Sequence, residues 1–127
     1  MARETIRVLL VDDNADYRTR LAKALRLQPG FEVVGAGASG REGVQLAGTL
    51  RPDVILMDGR MAELDGFSAA GAILREAPGT KIFILTAYAS ALDRARASER
   101  GLRGILVKDQ PVAEIVETIR RNAVRAG

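Results

Sequence analysis

Five short apolar runs, separated by segments of helical character, constrain this chain more than any other feature. They recur at a spacing of roughly 20 to 30 residues, and this alternation predicts β-α-β units. Such units build a parallel sheet with right-handed crossovers and helices on both faces. The second run contains a charge and a glycine, as expected of an edge strand. The predicted strands are Ile6 to Val11, Phe31 to Ala36, Val54 to Met57, Ile82 to Leu85 and Ile105 to Val107.

Capping and stop signals predict where the helices lie. Ser39 and Glu42 have the spacing of a capping box, and Pro111 suits the first position of a helix. The fourth helix is thinly apolar, which makes it a candidate for motion or for contact with a partner. The five helices are predicted after Asn14, from Ser39, after Leu64-Asp65-Gly66, over roughly Ala89 to Arg100, and from Pro111.

The composition excludes several kinds of chemistry. A chain of 127 residues that is 47% hydrophobic fits one domain, predicted over residues 1–127. Cysteine and histidine are absent, so disulfides, thiolate metal sites and a histidine base are excluded. The net charge of +3 comes from interspersed charges, which favours a solvated or partner-facing surface over a DNA-binding stripe. With no signal peptide or membrane-spanning stretch in the sequence, we expect a cytoplasmic protein.

Polar residues follow four of the predicted strands at the point where each strand ends. Asp12 and Asp13 follow the first strand, Asp58 the third, Thr86 the fourth and Lys108 the fifth. Because ligands of open parallel sheets bind beyond the carboxyl ends of the strands, these side chains are expected to converge. Each residue alone has a simpler interpretation, such as a helix cap for the aspartates or an edge position for the lysine. Their shared position favours a single site.

Clustered carboxylates repel one another, and their burial raises their pKa values unless a cation is present. Mg²⁺ fits such a cluster because it uses one or two carboxylates and leaves positions for phosphate oxygens. We expect its ligands to come from Asp12, Asp13, Asp58 and the backbone carbonyl of Arg60. A hydroxyl and an ammonium group nearby can bind a phosphoryl group. Asp58 is then the expected nucleophile.

Five short motifs follow one another along the chain. They are Val8-Leu-Leu-Val-Asp-Asp-Asn14, Val54-Ile-Leu-Met-Asp-Gly-Arg-Met61, Leu64-Asp-Gly66, Ile84-Leu-Thr-Ala87 and Gly104-Ile-Leu-Val-Lys108. Together they closely resemble the receiver domains of two-component response regulators. The resemblance implies a flavodoxin-like (βα)5 three-layer sandwich with strand order 2-1-3-4-5, and a sensor histidine kinase as phosphoryl donor. It also implies that Asp58 is the phospho-acceptor, that Asp12 and Asp13 are the magnesium-binding pair, that Thr86 is the switch hydroxyl and that Lys108 contacts the phosphate.

Two departures from the family pattern concern proline. Ala62 stands where the acceptor loop usually has a proline, so the loop loses a rigid element. Asp109 follows Lys108 where proline is also usual. A cis bond without proline costs about 3 kcal/mol, so we expect a trans peptide bond between Lys108 and Asp109.

A third departure concerns the switch. Ile105 stands where the family usually has an aromatic ring that swings inward as the threonine moves toward the phosphate. Ile105 cannot make that swing, so Tyr88, two residues beyond Thr86, is a candidate to cover the site instead. Arg60 and Tyr88 flank the predicted site and are expected to tune how readily water reaches it.

The leading hypothesis is a phosphorylation-dependent switch whose enzymatic activity is at most self-directed phosphotransfer and autodephosphorylation. Phosphorylation should change the face formed by the fourth helix, the fifth strand and the fifth helix, and this face is expected to pair two copies of the chain. The fifth helix looks most like those of receivers that precede a helix-turn-helix domain, so DNA contact is expected only through an output domain outside this chain. The charged residues of the face are Asp93, Arg94, Arg96, Arg100, Arg103, Glu114 and Glu117.

Two other functions stay open from the sequence. Ile105 and Ala62 are compatible with a stand-alone or atypical receiver that binds a partner constitutively, without phosphoryl turnover. A phosphohydrolase with an aspartyl nucleophile commonly carries a second aspartate two residues further on, and Arg60 occupies that position here. The phosphohydrolase is therefore the least favoured of the three.

Overall fold

The parallel sheet predicted from the sequence is present in a computed structural model that describes residues 5–123. Its strands within this range are β1 (Ile6–Val11), β2 (Phe31–Gly37), β3 (Val54–Asp58), β4 (Lys81–Thr86) and β5 (Gly104–Val107). All pairings are parallel, and the strand order is β2-β1-β3-β4-β5. The flavodoxin-like class and the edge position of β2 are confirmed.

Helices cover both faces of the sheet, and each lies close to its predicted position. α1 follows Asn14, as predicted, whereas α5 begins at Val112, one residue after the predicted start at Pro111. The helices of the described range are α1 (Ala15–Arg26), α2 (Gly40–Leu50), α3 (Gly66–Glu76), α4 (Ala91–Glu99) and α5 (Val112–Ala123).

The cap of α2 differs from the predicted capping box. Ser39 Oγ accepts a hydrogen bond from the Glu42 N–H at 3.1 Å, as expected. The Glu42 carboxylate, however, accepts from the N–H of Ala38 at 2.7 Å, one residue before the predicted donor. A reciprocal box instead forms at α4 between Ser90 and Asp93. This box starts α4 two residues later than predicted.

Alternate residues of each central strand feed two apolar layers, because successive side chains point to opposite faces of a sheet. On β1, Val8 and Leu10 pack toward α1 and α5, whereas Leu9 and Val11 pack toward α2 and α3. α4 is weakly anchored to its layer, since Ala97 is its buried residue and Leu92 is 68% exposed. The thinly apolar character of the fourth helix thus persists in the fold.

Two further predictions can be compared with the described backbone. No peptide bond between residues 5 and 123 is cis, which confirms the trans bond between Lys108 and Asp109. None of the helices in this range combines the length and apolar character that crossing a membrane requires.

The loop between β3 and α3 closes tightly over the end of β3. Gly66 donates its N–H to the carbonyl of Gly59 at 3.1 Å. A Cβ atom at Gly66 would overlap the backbone carbonyl of Asp58 and lie 2.9 Å from the Cα of Gly59. Because these neighbours are backbone atoms that cannot rotate away, only glycine fits at this position.

Replacing Gly66 with alanine should therefore lower the free energy of unfolding by about 1–3 kcal/mol or more, the usual cost of overpacking. Gly71 is a matched control on the same helix, since nothing lies within 4 Å of the position that a Cβ atom would take there. Gly71→Ala should raise the stability by up to about 1 kcal/mol through helix propensity. Urea denaturation of both variants measures the difference, and equal stabilities would contradict the steric argument.

Candidate functional site

The carboxyl ends of the strands surround an open cavity of about 290 Å³. Its walls combine residues from the ends of β1, β3, β4 and β5, which the strand order brings to one edge of the sheet. The lining residues are Asp13, Asn14, Asp58, Arg60, Thr86, Ala87, Tyr88 and Lys108. All the residues singled out at the strand ends lie in or beside this cavity.

Three carboxylates meet at the cavity. Asp12 and Asp58 are 1% and 5% exposed, whereas Asp13 is exposed to solvent. One oxygen of each can be chosen so that all three lie within 4.8 Å of one another. Asp12 and Asp58 share the same arrangement, because one oxygen of each accepts the backbone N–H two residues further on. The distances are 2.8 Å from Asn14 N to Asp12 Oδ1 and 3.1 Å from Arg60 N to Asp58 Oδ1.

The remaining oxygen of each buried carboxylate faces the ammonium group of Lys108. Lys108 Nζ lies 2.7 Å from Asp12 Oδ2 and 3.4 Å from Asp58 Oδ2. The base of the lysine is held by a hydrogen bond from its N–H to the carbonyl of Thr86 at 2.8 Å. One half-buried positive charge is thus shared by two buried negative charges.

Burial raises the pKa of the Asp58 carboxyl from 3.8 to about 6. The hydrogen bond from the Arg60 N–H lowers the pKa, the negative charge of Asp12 raises it, and the ammonium of Lys108 lowers it again. Desolvation is the largest of these effects. A cation closer than the lysine would therefore favour the ionised, nucleophilic form of Asp58.

The donor set fits Mg²⁺. The carboxylates are the hard oxygen ligands that this ion prefers, and Asp12 Oδ2 has no hydrogen-bond partner among the described residues apart from the lysine ammonium. That ammonium stands where a cation is needed. Asp12, Asp13 and Asp58 would hold the ion, and the carbonyl of Arg60 remains the predicted fourth ligand.

The hydroxyl of Thr86 is bonded to its own loop. Thr86 is 7% exposed, its Oγ1 donates to the carbonyl of Tyr88 at 3.1 Å, and the N–H of Tyr88 approaches Oγ1 at 3.4 Å. The side chain of Tyr88 lines the cavity but is 75% exposed. Ile105 lies on β5, half-buried against the layer that contains α4.

Tyr17 is a site residue that the sequence did not reveal. Its spacing from Leu21 and Leu25 fits the apolar stripe of α1, yet its ring centroid lies 4.9 Å from Lys108 Nζ. Burial raises the pKa of its phenol from 10.0 to about 12, and the charge of Asp12 adds to this rise. The available signal was its position in the first turn of the helix that follows the acidic pair.

A 2-1-3-4-5 parallel sheet with an acid cluster and a lysine at its carboxyl edge defines a flavodoxin-like domain whose polar site is formed by the strand ends. Comparison with known proteins identifies the family within this fold class. Residues 8–120 match the family described as the response regulator receiver domain. The chain belongs to this family and is the receiver domain of a two-component response regulator.

Three relatives illustrate the similarity. The chain is 44% identical to the transcriptional regulatory protein LiaR of Bacillus subtilis over 115 residues, 91% of this chain and 54% of LiaR. It is 35% identical to the response regulator protein VraR of Staphylococcus aureus over 119 residues, 94% of this chain and 57% of VraR. The signal receiver domain of the putative response regulator NarL of Mycobacterium tuberculosis superposes with a TM-score of 0.88 at 31% identity, covering 95% of this chain and 98% of that one. The chain spans about half the length of the two curated relatives.

The raised pKa of Asp58 predicts how stability depends on pH without divalent cations. The unfolded carboxyl titrates near 3.8 and the folded one near 6, so between these values the folded protein binds more protons. This contribution to stability is therefore present below about pH 4 and is lost as the pH rises to about 6. The loss is on the order of 1–3 kcal/mol.

Asp58→Asn removes this titration, so its stability relative to the wild type should increase between pH 4 and pH 7. Urea denaturation across this range, with a chelator present, measures the trend. Gly71→Ala is the control, since it removes no titratable group, and its difference from the wild type should stay flat. A constant difference for Asp58→Asn at every pH would contradict the assignment.

Proposed function

We propose that Asp58 accepts a phosphoryl group from a sensor histidine kinase and that the modified domain changes its α4-β5-α5 face. The observation that carries this proposal is the Lys108 ammonium, which lies between two buried carboxylates beside an open cavity. A carboxylate with a cation next to it is suited to attack phosphorus and to hold the negatively charged product.

The residues divide the work of phosphoryl transfer. An oxygen of Asp58 forms the new bond to phosphorus, and the bond from phosphorus to the donor breaks, with its electron pair leaving on the donor. Lys108 neutralises a phosphoryl oxygen, and Thr86 offers a hydroxyl hydrogen bond. Mg²⁺, held by Asp12, Asp13, Asp58 and the Arg60 carbonyl, supplies further neutralisation of the phosphoryl charge when bound.

The contacts of Thr86 support a switch that does not need an aromatic side chain in place of Ile105. To reach a phosphoryl group, the hydroxyl of Thr86 must leave the carbonyl of Tyr88, to which it donates at 3.1 Å. The freed carbonyl then has to find another partner, so residues 87–90 must rearrange. These residues lead directly into α4. The signal in this proposal travels through the loop backbone.

A contact between α4 and α3 opposes that rearrangement. The guanidinium of Arg96 lies 4.1 Å from the ring centroid of Phe67 and 3.6 Å from Asp65 Oδ1. Asp65 also caps α3 through the N–H of Ser68. Since α4 buries little else, Arg96 is well placed to hold the helix in its resting position. Arg96 is thus engaged within the chain, and the exposed arginines of the proposed dimer face are Arg94, Arg100 and Arg103.

The function that this domain would control is inferred from its relatives. LiaR is called a transcriptional regulatory protein, and the chain covers 54% of its length. We infer that this receiver controls a DNA-binding domain, which is the only route by which it would contact DNA. An α4-β5-α5 homodimer would be one way to transmit the signal. Constitutive protein binding without phosphoryl turnover is the alternative.

The first experiment is the intact mass of the protein after incubation with Mg²⁺ and a small acyl phosphate. A single phosphoryl adduct is expected on the wild type, none on Asp58→Asn, and at least a tenfold lower yield on Lys108→Ala, because the product charge is then uncompensated. Arg51→Ala, far from the cavity, is the control and should behave as the wild type. No adduct on the wild type would favour constitutive binding.

Hydrogen exchange then tests the switch. Phosphorylation should speed exchange of the α4 amides, and Arg96→Ala should do so without phosphorylation, because the contact with Phe67 and Asp65 is lost. Arg94→Ala is the matched control on the same helix. Unchanged α4 exchange in Arg96→Ala would exclude the proposed restraint.

Analytical ultracentrifugation tests the dimer face. The phosphorylated wild type should sediment as a dimer, and the phosphorylated Arg100→Glu variant should form less of it. An equal amount of dimer in the variant would place the interface elsewhere.

A further inference from the structure

Tyr17 lies in the first turn of α1, where two hydrogen bonds connect its backbone through Asn14 to Asp12. Asp12 Oδ1 accepts the N–H of Asn14 at 2.8 Å, and Asn14 Oδ1 accepts the N–H of Tyr17 at 2.9 Å. Arg18 also donates to the carbonyl of Asp12 at 2.6 Å. The position of the Tyr17 backbone is therefore fixed relative to Asp12.

The ring of Tyr17 provides a third contact for the lysine ammonium. Lys108 Nζ lies 4.9 Å from the ring centroid, within the distance at which a cation is attracted to an aromatic face. The lysine side chain is only 20% exposed, so this attraction is weakened less by water than on an open surface. The ammonium thus has Asp12, Asp58 and the ring around it.

The three contacts of the ammonium would respond differently to a divalent cation bound at the site. Asp12 Oδ2, the closest partner of the ammonium at 2.7 Å, is also an oxygen that a divalent cation needs. A lysine that gives up this oxygen loses its shortest ion pair. The aromatic ring is no ligand for a hard cation, so a bound cation would not compete with the ammonium for this contact.

We propose that Tyr17 is a positioning residue for phosphoryl transfer, because its ring keeps the Lys108 ammonium beside Asp58 when Asp12 is engaged by a cation. This inference rests on the proposed role of Lys108 at the phosphoryl group. It assigns the effect to the ring and not to the hydroxyl, since Tyr17 Oη is buried without a hydrogen-bond partner among the described residues.

The placement can be read directly by NMR. The chain contains three lysines, Lys23, Lys81 and Lys108, so a protein labelled with ¹³C-lysine gives few side-chain signals, and Lys108→Arg assigns the one of interest. The εCH₂ protons of Lys108 should show an upfield ring-current shift. Tyr17→Phe should keep this shift, whereas Tyr17→Leu and Tyr17→Met should lose it.

The function is read from the rate of adduct formation with Mg²⁺ and a small acyl phosphate. Tyr17→Leu and Tyr17→Met should react about 2- to 30-fold more slowly, the range of cation–π free energies expressed as a rate ratio. Tyr17→Phe should restore the wild-type rate. The methionine variant fills the core space without a ring, which keeps the test valid if the leucine variant does not fold.

The outcomes separate the two proposals. A wild type that forms an adduct at the same rate as Tyr17→Met would overturn this inference alone. So would a Tyr17→Phe variant as slow as Tyr17→Met, because the hydroxyl would then matter, or the absence of a ring-current shift in the wild type. A wild type that forms no adduct would overturn the proposed function, together with the role of Tyr17 in it.

Discussion

One ammonium group makes this site possible. Lys108 Nζ approaches both Asp12 and Asp58, and without it two nearly inaccessible carboxylates would stand side by side with no countercharge. Desolvation already raises the pKa of Asp58 to about 6, so this carboxylate depends on a nearby positive charge to stay ionised. In the resting site the Lys108 ammonium therefore provides a single positive charge where the proposed chemistry uses a divalent cation.

The sheet explains how this arrangement arises from residues far apart in sequence. β1 pairs with β3 in the sheet, so the two buried aspartates lie at the ends of neighbouring strands. Each has one oxygen fixed by a backbone N–H, which turns the other oxygen toward the cavity. Lys108 starts two strands away, beyond β4, and the length of its side chain spans that distance. Gly66 lets the following loop close against the end of β3.

The alternation of apolar runs was sufficient to predict the sheet, the edge position of β2 and the residues at the strand ends, since these depend on local periodicity and chain order. Side-chain geometry was beyond such reasoning. Glu42 binds Ala38 instead of Ser39, and the ring of Tyr17 meets Lys108, because both contacts depend on where elements lie in space. Arg96 was assigned to an intermolecular face, whereas its distances to Phe67 and Asp65 emerge only once α3 and α4 pack together.

The hydrogen bond from Thr86 to the carbonyl of Tyr88 also has a consequence for the signal that the proposed switch would give before phosphorylation. A buried hydroxyl that already has a partner gains nothing by moving until a better acceptor arrives. In the proposed switch, this bond would favour the resting position of the Thr86 side chain over one in which its hydroxyl is free. The signal of the unphosphorylated receiver would then depend on the hydrogen bonding of one side chain.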